Sequence, residues 1–345
     1  MPIPTYIVTG GAGFIGANLV AELLSREPEA HVVVVDDFRK GSYANLVEAC
    51  DRAGVGPFRG TVQPDSVADL NWQPAVVGYE PKAVFHLGAI TDTLEFDEKK
   101  MLADNTEPFV DILDACIETG TPLVYASSAA TYGSPPHADE RTPFPESAAG
   151  LPNNVYGFSK WLMDVEAQKA IDEAKAAGDT PPHIVGLRYF NVFGPGEHRK
   201  GTMASMVWHL AQQMLGGSRP RLFKQGEHAR DQVYVRDVVA QTIAGAKPGV
   251  TPGIYNAGSG QTTTFNEIAA ALGEALGLPA EPEYFDMPEK MVATYQHYTC
   301  ADMTAAREGL NWTPAYHPSD AIAEYAGWIK REWERTNQRA ELARG

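Results

Sequence analysis

Two side chains in the segment N-V-Y-G-F-S-K have the types and spacing to move a proton together. Tyr156 and Lys160 stand four residues apart, so on a helix they share one face. A free phenol has a pKa near ~10, too high for a base at neutral pH. A nearby ammonium, or another positive charge, favours the phenolate and lowers that value. The earlier segment Y-A-S-S-A-A-T-Y-G brings a pair of hydroxyls. Of these, Ser128 is the candidate to hydrogen-bond a reacting oxygen and hold it beside Tyr156. A Tyr-x-x-x-Lys pair also arises by chance on many helices, so its meaning depends on its surroundings.

Those surroundings begin at T-G-G-A-G-F-I-G, where Gly10, Gly11, Gly13 and Gly16 surround Phe14 and Ile15. The glycines follow a short apolar run and precede a helical pattern. Glycine permits the tight turn and lets backbone amides approach a pyrophosphate, while the helix N-terminus adds partial positive charge. Asp36 follows Gly16 by twenty positions, where a carboxylate can accept from an adenosine ribose. The alternative is a structural turn with an exposed aspartate. A dinucleotide site is the expectation, and its nicotinamide cation is a charge that favours phenolate at Tyr156, with Lys160 holding the ribose. Asp36 and Asp37 favour NAD; Arg39 and Lys40 favour NADP. Further cofactor contacts are expected at Leu87, Gly88, Ala89, Ile90 and Thr91 after the fourth strand, and at Ser127. Asn105 is either a helix cap or a ligand.

The elements that must position these residues follow from periodicity. Strands are expected at 6–9, 31–35, 83–87, 123–126 and 184–190, and helices at 14–25, 104–118 and 155–177. Strand and helix alternate, which predicts βαβ units and a parallel sheet covered on both faces. Later, 203–215, 267–276 and 321–335 read as helices, and 233–239 and 254–257 as returning sheet elements. The fold class is therefore α/β. A Rossmann-type doubly wound parallel sheet (1–188 and 231–258) is expected with a smaller interleaved α/β substrate lobe (189–230 and 259–335). A polar tail at 336–345 is expected to fray.

Composition narrows the classes. The net charge of −16 argues against nucleic acid and anionic membrane as partners. No apolar run is long enough to span a bilayer and no targeting segment is visible, so a cytoplasmic protein is expected. The cysteines Cys50, Cys116 and Cys300 form neither a disulfide framework nor a metal pattern, and no metal is expected. Cys116 reads as a small buried apolar residue on a helix.

The order TGGAGFIG, YASSAATYG, YGFSK resembles the extended short-chain dehydrogenases. Downstream, RYFNVFGPGEHRKGTMAS, HARDQVYVRDV and YQHYTCADMT resemble the ADP-L-glycero-D-manno-heptose 6-epimerases, from Thr5 to about Trp328. That resemblance implies a tightly held NADP, oxidation of the sugar at exocyclic carbon 6, and reduction of the ketone on its other face. Two acid–base groups are needed, and the resemblance assigns them to Tyr156 and Lys200. Lysine desolvated beside a cofactor would have its pKa lowered and could exchange protons. The plain alternative for Lys200 is an exposed loop lysine. The resemblance also implies substrate contacts at Asn191, Thr202, His209, Phe223, Gly226, Arg230 and Tyr295, cofactor contacts at Val192 and Lys200, an ADP-heptose partner, and a homo-oligomer, a pentamer in that family. Three departures stand out: Asp36-Asp37 replaces an acidic residue followed by asparagine, Leu87 replaces a glutamate, and 51–71 matches poorly.

Three other readings remain. Dehydratases carry Asp-Glu after the strand-end hydroxyl, where this chain has Ala129 and Ala130. A nucleotide-sugar 4-epimerase needs one tyrosine and no Lys200. A non-catalytic NAD(P)-binding regulator would have lost the tyrosine or the lysine, and both are present.

Overall fold

A computed structural model describes residues 3–133, 141–287 and 296–342. The chain opens with β1 (Thr5–Thr9), α1 (Phe14–Arg26), β2 (His31–Val35), α2 (Tyr43–Ala53), β3 (Thr61–Gln63), α3 (Trp72–Tyr79) and β4 (Ala83–His86). It continues through α4 (Glu98–Asn105), α5 (Glu107–Thr119), β5 (Leu123–Ser128), α6 (Val155–Ala177) and β6 (Ile184–Tyr189). A second stretch contains β7 (Asn191–Phe193), α7 (Met206–Leu215), β8 (Arg221–Phe223), β9 (Ala229–Tyr234), α8 (Val235–Gly245) and β10 (Gly253–Ala257). The described elements end with β11 (Thr262–Thr264), α9 (Phe265–Leu276), β12 (Glu283–Phe285), α10 (Thr304–Leu310) and α11 (Pro318–Leu342).

Seven parallel strands form the central sheet in the order β10-β6-β5-β4-β1-β2-β3. The strands are buried on both faces, which is why they read as near-continuous apolar runs. Val32 and Val34 pack with Leu19, Leu23 and Leu46 of α1 and α2. Val33 and Val35 pack on the opposite face with Trp72, Phe109 and Ile112 of α3 and α5. This Rossmann-type architecture is the expected fold class. Its direction of winding reverses between β1 and β4, the position at which open α/β sheets bind ligands. Two smaller sheets, β11-β9-β7 and β12-β8, account for the other strands.

Several expectations change. The stretch 233–239 is not sheet throughout. Strand β9 ends at Tyr234, and Val235 starts α8, with Asp237 in its first turn accepting from the amides of Ala315 and Tyr316. The β-branched V-Y-V and V-V pairs concealed a helical burial pattern at Val235, Val238, Val239 and Thr242. Moreover, β9 pairs with β7 and β11 rather than joining the central sheet. The helix expected at 104–118 is two helices meeting at Thr106, where Pro108 suits the first turn of α5. Helix α11 runs to Leu342, across residues read as tail. All three cysteines are buried free thiols, Cys116 on α5 among them. Among the described residues, no helix is long and apolar enough to cross a membrane.

A buried ion pair ties α6 to the sheet. The Arg188 Nε donates to Asp164 Oδ2 at 2.8 Å, with both side chains at most 4% exposed. Tyr125 donates to the other carboxylate oxygen at 2.9 Å. Removing one member leaves an uncompensated buried charge, a loss of about 3–5 kcal/mol. Arg188→Leu is therefore expected to lower unfolding stability in urea by that amount. Asp164→Leu added to it is expected to restore at least half.

Candidate active site

The glycine turn is shaped by contacts that exclude any side chain. A Cβ on Gly16 would lie 2.1 Å from the Gly10 carbonyl oxygen, and one on Gly10 would lie 2.8 Å from the Gly88 nitrogen. Gly10 also holds a φ of +64°, a left-handed conformation that costs a larger residue free energy. Gly13 caps α1 without a side-chain hydrogen bond, and no acidic residue occupies the first turn. The first amides of α1 are thus uncapped by any side chain. These features fit a dinucleotide pyrophosphate, as expected.

Asp36 serves that turn directly. Its carboxylate accepts from the amides of Ala12 and Phe38, each at 2.9 Å, and it is 8% exposed. Burial raises its pKa and the two amide bonds pull it back. It anchors the glycine turn to the loop after β2, and it is buried, unlike the exposed aspartate of the alternative reading. Asp37 and Asp104 both bind Arg39, the latter at 2.7 Å. Lys40 is exposed.

Beyond β4, Leu87 to Ile90 are half-buried and Thr91 is exposed. Asn105 is fully buried and pins this loop rather than capping a helix. Its Oδ1 accepts from Ile90 N at 2.7 Å, and its Nδ2 donates to Ile90 O and to Ser159 Oγ, each at 3.0 Å. Ser159 in turn donates to the Tyr156 carbonyl at 2.8 Å. The loop after β4 and the first turn of α6 are locked together.

Helix α6 starts where Asn154 accepts from Gly157 N at 2.7 Å. A Cβ on Gly157 would come within 2.6 Å of Ala130 O, so only glycine lets the helix press against the turn after β5. That approach brings Tyr156 near Ser128, whose hydroxyl favours the phenolate. Ser128 also accepts from Ala130 N at 3.1 Å. Burial raises the Tyr156 pKa and the Ser128 bond lowers it by less. This corrects the expectation of a phenol lowered by its helix-mate. The Lys160 ammonium is turned to the Ala126 carbonyl at 2.8 Å. Burial takes the Lys160 pKa down to about 8, with Asp164 opposing. Ser127 is buried and faces Asp164. His86 bonds Thr9 Oγ1 at 2.9 Å, and burial, with Lys160 nearby, lowers its pKa to about 3.

A cavity of about 320 Å³ is lined in part by the residues that follow β6. It is lined by Asn191, Val192, Lys200 and Arg230, all expected, and by Ser205 and Gln232, which the sequence reading missed. Its Phe190–Val192 wall continues from Tyr189, which pairs with Ser128 across β5 and β6. Lys200 lies in a turn at Glu197–Met203. That turn docks on α1 through Asn18, which donates to the carbonyls of Pro195 and Phe14 at 3.0 and 2.8 Å. The docking sets the Lys200 ammonium 5.3 Å from the centre of the Phe14 ring. Lys200 is exposed, as the plain loop-lysine alternative expected, and it also lines the cavity. The surrounding protein still lowers its pKa, and Glu197 offsets part of that.

Other expected sugar contacts lie apart from the cavity lining. His209 packs back on the Thr202 carbonyl at 3.3 Å. The Phe223 ring packs at a tilt of 53° on that of Phe285, 4.5 Å between centres. Gly226 has a φ of +73° beside Asn266. Tyr295 lies outside the described residues. Asp231 accepts from Ser259, Gly260 and Ala301, and Asp237 from Ala315 and Tyr316. Gln232 and Ser205 were missed because alternation along β9 and a cap position give no chemical signal alone. Gln232 follows Arg230 by two, on the same strand face, which was the available clue.

A Rossmann-type sheet, an uncapped glycine-lined helix start, and a tyrosine–serine pair between the end of β5 and the start of α6 define a dinucleotide-dependent α/β enzyme class. The model of the NAD dependent epimerase/dehydratase family matches residues 6–258, and the chain belongs to that family. Among solved structures, it is similar to the ADP-L-glycero-D-manno-heptose-6-epimerase of Helicobacter pylori. The two are 30% identical, with 95% of this chain and 96% of that one covered and a TM-score of 0.81. The UDP-glucose 4-epimerase of Thermotoga maritima, solved with UDP-glucose, is 25% identical over 95% of this chain and 99% of its own, with a TM-score of 0.79. MoeE5, solved with UDP-glucuronic acid and NAD, is 25% identical over 95% and 99%, with a TM-score of 0.74.

Gly16→Ala tests the cradle. The methyl would force the turn apart, so dinucleotide affinity measured by calorimetry is expected to fall at least about tenfold, with the circular dichroism spectrum unchanged.

Proposed function

We propose that the chain inverts carbon 6 of ADP-D-glycero-D-manno-heptose to the L-glycero form. The reading is supported chiefly by one observation. A second proton-carrying group, Lys200, stands in the cavity whose wall runs on from the strand paired to Ser128. Inversion through a ketone requires proton exchange on either face of the carbon. Tyr156 would serve one face and Lys200 the other, and a single tyrosine would serve both only if the ketone turned over.

The bound dinucleotide supplies the hydride acceptor and donor. Gly10 to Gly16 would hold its pyrophosphate by backbone amides, with Val192 and Lys160 toward the nicotinamide end. Ser128 would hold the reacting oxygen against Tyr156. Arg230 would take a diphosphate oxygen, since its guanidinium forms paired hydrogen bonds. The smaller sheets would form the sugar side of the cavity. The resemblance carries NADP, but the local charge supports NAD. Arg39 is already paired with Asp37 and Asp104, and an unpaired Lys40 would face Asp36 and Asp37. NAD is accordingly expected to bind more tightly than NADP in calorimetry, and the reverse order would overturn that preference.

The activity is tested by incubation with ADP-D-glycero-D-manno-heptose and, in parallel, UDP-glucose, resolving epimers by chromatography. Conversion of the heptose alone is expected. Lys200→Met is expected to lower kcat by about 10²–10⁴ with dinucleotide still bound. Conversion of UDP-glucose at carbon 4, unaffected by Lys200→Met, would replace this reading with that of a 4-epimerase.

A further inference from the structure

Glu197, the first residue of the Lys200 turn, has no role in the scheme above, yet it is tightly held. Glu197 is fully buried. One of its oxygens accepts from Gly194 N at 3.3 Å and from Ser205 Oγ at 2.8 Å; the other accepts from Ser205 N at 2.6 Å. Gly194 precedes the Lys200 turn and Ser205 follows it, so one side chain joins both ends of the segment. Ser205 is also the N-cap of α7 and accepts from Trp208 N at 3.2 Å, which ties the joined ends to a helix.

The charge around this carboxylate is equally specific. Lys200 stands three residues on in the same turn, and burial raises the Glu197 pKa while the Lys200 charge opposes that rise. Tyr325 of α11 faces it from the other side, and Tyr325 is itself flanked by Tyr234 and Arg52. The neighbouring cations turn elsewhere: Arg199 pairs with Glu48 at 2.6 Å, and His198 lies 3.6 Å from the same carboxylate. An ionised carboxylate without a cation is costly to bury. Lys200 is the cation that its own turn brings toward Glu197.

We propose that Glu197 is the positioning residue of this cavity: its carboxylate clips the turn closed and opposes its charge to Lys200, holding that amine in the pocket. This rests on the reading of Lys200 as a proton-exchanging group, but its test does not use the sugar. Glu197→Gln keeps the shape and removes the charge. A lysine that loses a facing carboxylate holds its proton less tightly, so its free-amine fraction at a given pH rises.

The readout is trace acetylation with acetic anhydride from about pH 6 to about pH 11, quantified at Lys200 by peptide mass spectrometry. In folded Glu197→Gln the midpoint for Lys200 is expected to fall by about one pH unit, an approximately tenfold gain in labelling below it. Ser205→Ala removes a hydroxyl bond and keeps the charge, so its midpoint is expected to stay that of the wild type. A Glu197→Gln midpoint equal to wild type overturns the proposal. Should that variant fail to fold, Glu197→Asp withdraws the carboxylate by one methylene. Trypsin cleavage after Arg199 and Lys200 is then expected to rise at least about fivefold as the clip opens, and cleavage at the wild-type rate overturns the proposal. Absence of turnover on any nucleotide sugar would defeat the proposed function and leave these readouts intact.

Discussion

The hydroxyl of Thr9 joins the two sides of the ligand crevice. Thr9 ends β1, and its Oγ1 accepts from the amides of Leu87 and Gly88 at 3.1 and 2.8 Å. A hydroxyl has two acceptor positions and one proton. With both acceptor positions used, its proton goes to His86 Nδ1, which fixes the imidazole as the neutral tautomer protonated at Nε2. The deep burial that drives down the His86 pKa agrees with this. Thr9 therefore holds the end of β4 against the glycine turn at the distance where Gly10 tolerates no Cβ and one on Gly88 would press on Thr9 itself. The crevice, the loop after β4 and the approach of Asn105 to α6 all inherit that spacing.

Helix α6 carries this geometry into electrostatics. Tyr156, Lys160 and Asp164 recur every four residues on one stripe, running from the crevice into the core. Asp164 is the only member with a strong partner on the stripe's inner end, and that partner is Arg188. Much of its charge is committed to Arg188, so its support of Lys160 is partial and burial prevails. Lys160 is left close to the pH at which it exchanges its proton. The neutral His86 matters here, because a charged imidazole beside Lys160 would depress the amine further. A strongly acidic chain thus maintains a cationic lining through local burial and pairing, while its net charge resides elsewhere.

Much of this was legible in the sequence because it depends on local periodicity. The glycine turn, β2 and α6 were read at their observed positions, since each combines an apolar pattern with an unambiguous start or stop, such as Asn154 before α6 and Gly178 after it. Helix α8 was misread because β-branched residues suit strands until tertiary contacts decide, and here the amides of Ala315 and Tyr316 met Asp237 at its first turn. The roles of Asp36 and Lys160 were illegible for a different reason. Residue type places a carboxylate or an ammonium near a ligand. Only the fold shows that Ala12 N and the Ala126 carbonyl already occupy them. Glu197 was passed over because its partners, Gly194 and Ser205, are reached by a turn that spacing does not reveal.

The Tyr156–Ser128 pair sets a direction on any proton transfer in this crevice. Burial raises the phenol, Ser128 compensates only in part, and the Lys160 ammonium is bonded to the chain rather than to the ring. At neutral pH the phenol therefore keeps its proton and can donate it. To accept one, it needs a positive charge introduced opposite the ring, because no such charge comes from the residues around it. The protein around Lys200 acts in the opposite direction, lowering that amine's pKa while Glu197 restrains the fall. The two groups are thus moved apart by their surroundings, the phenol toward holding its proton and the amine toward releasing one.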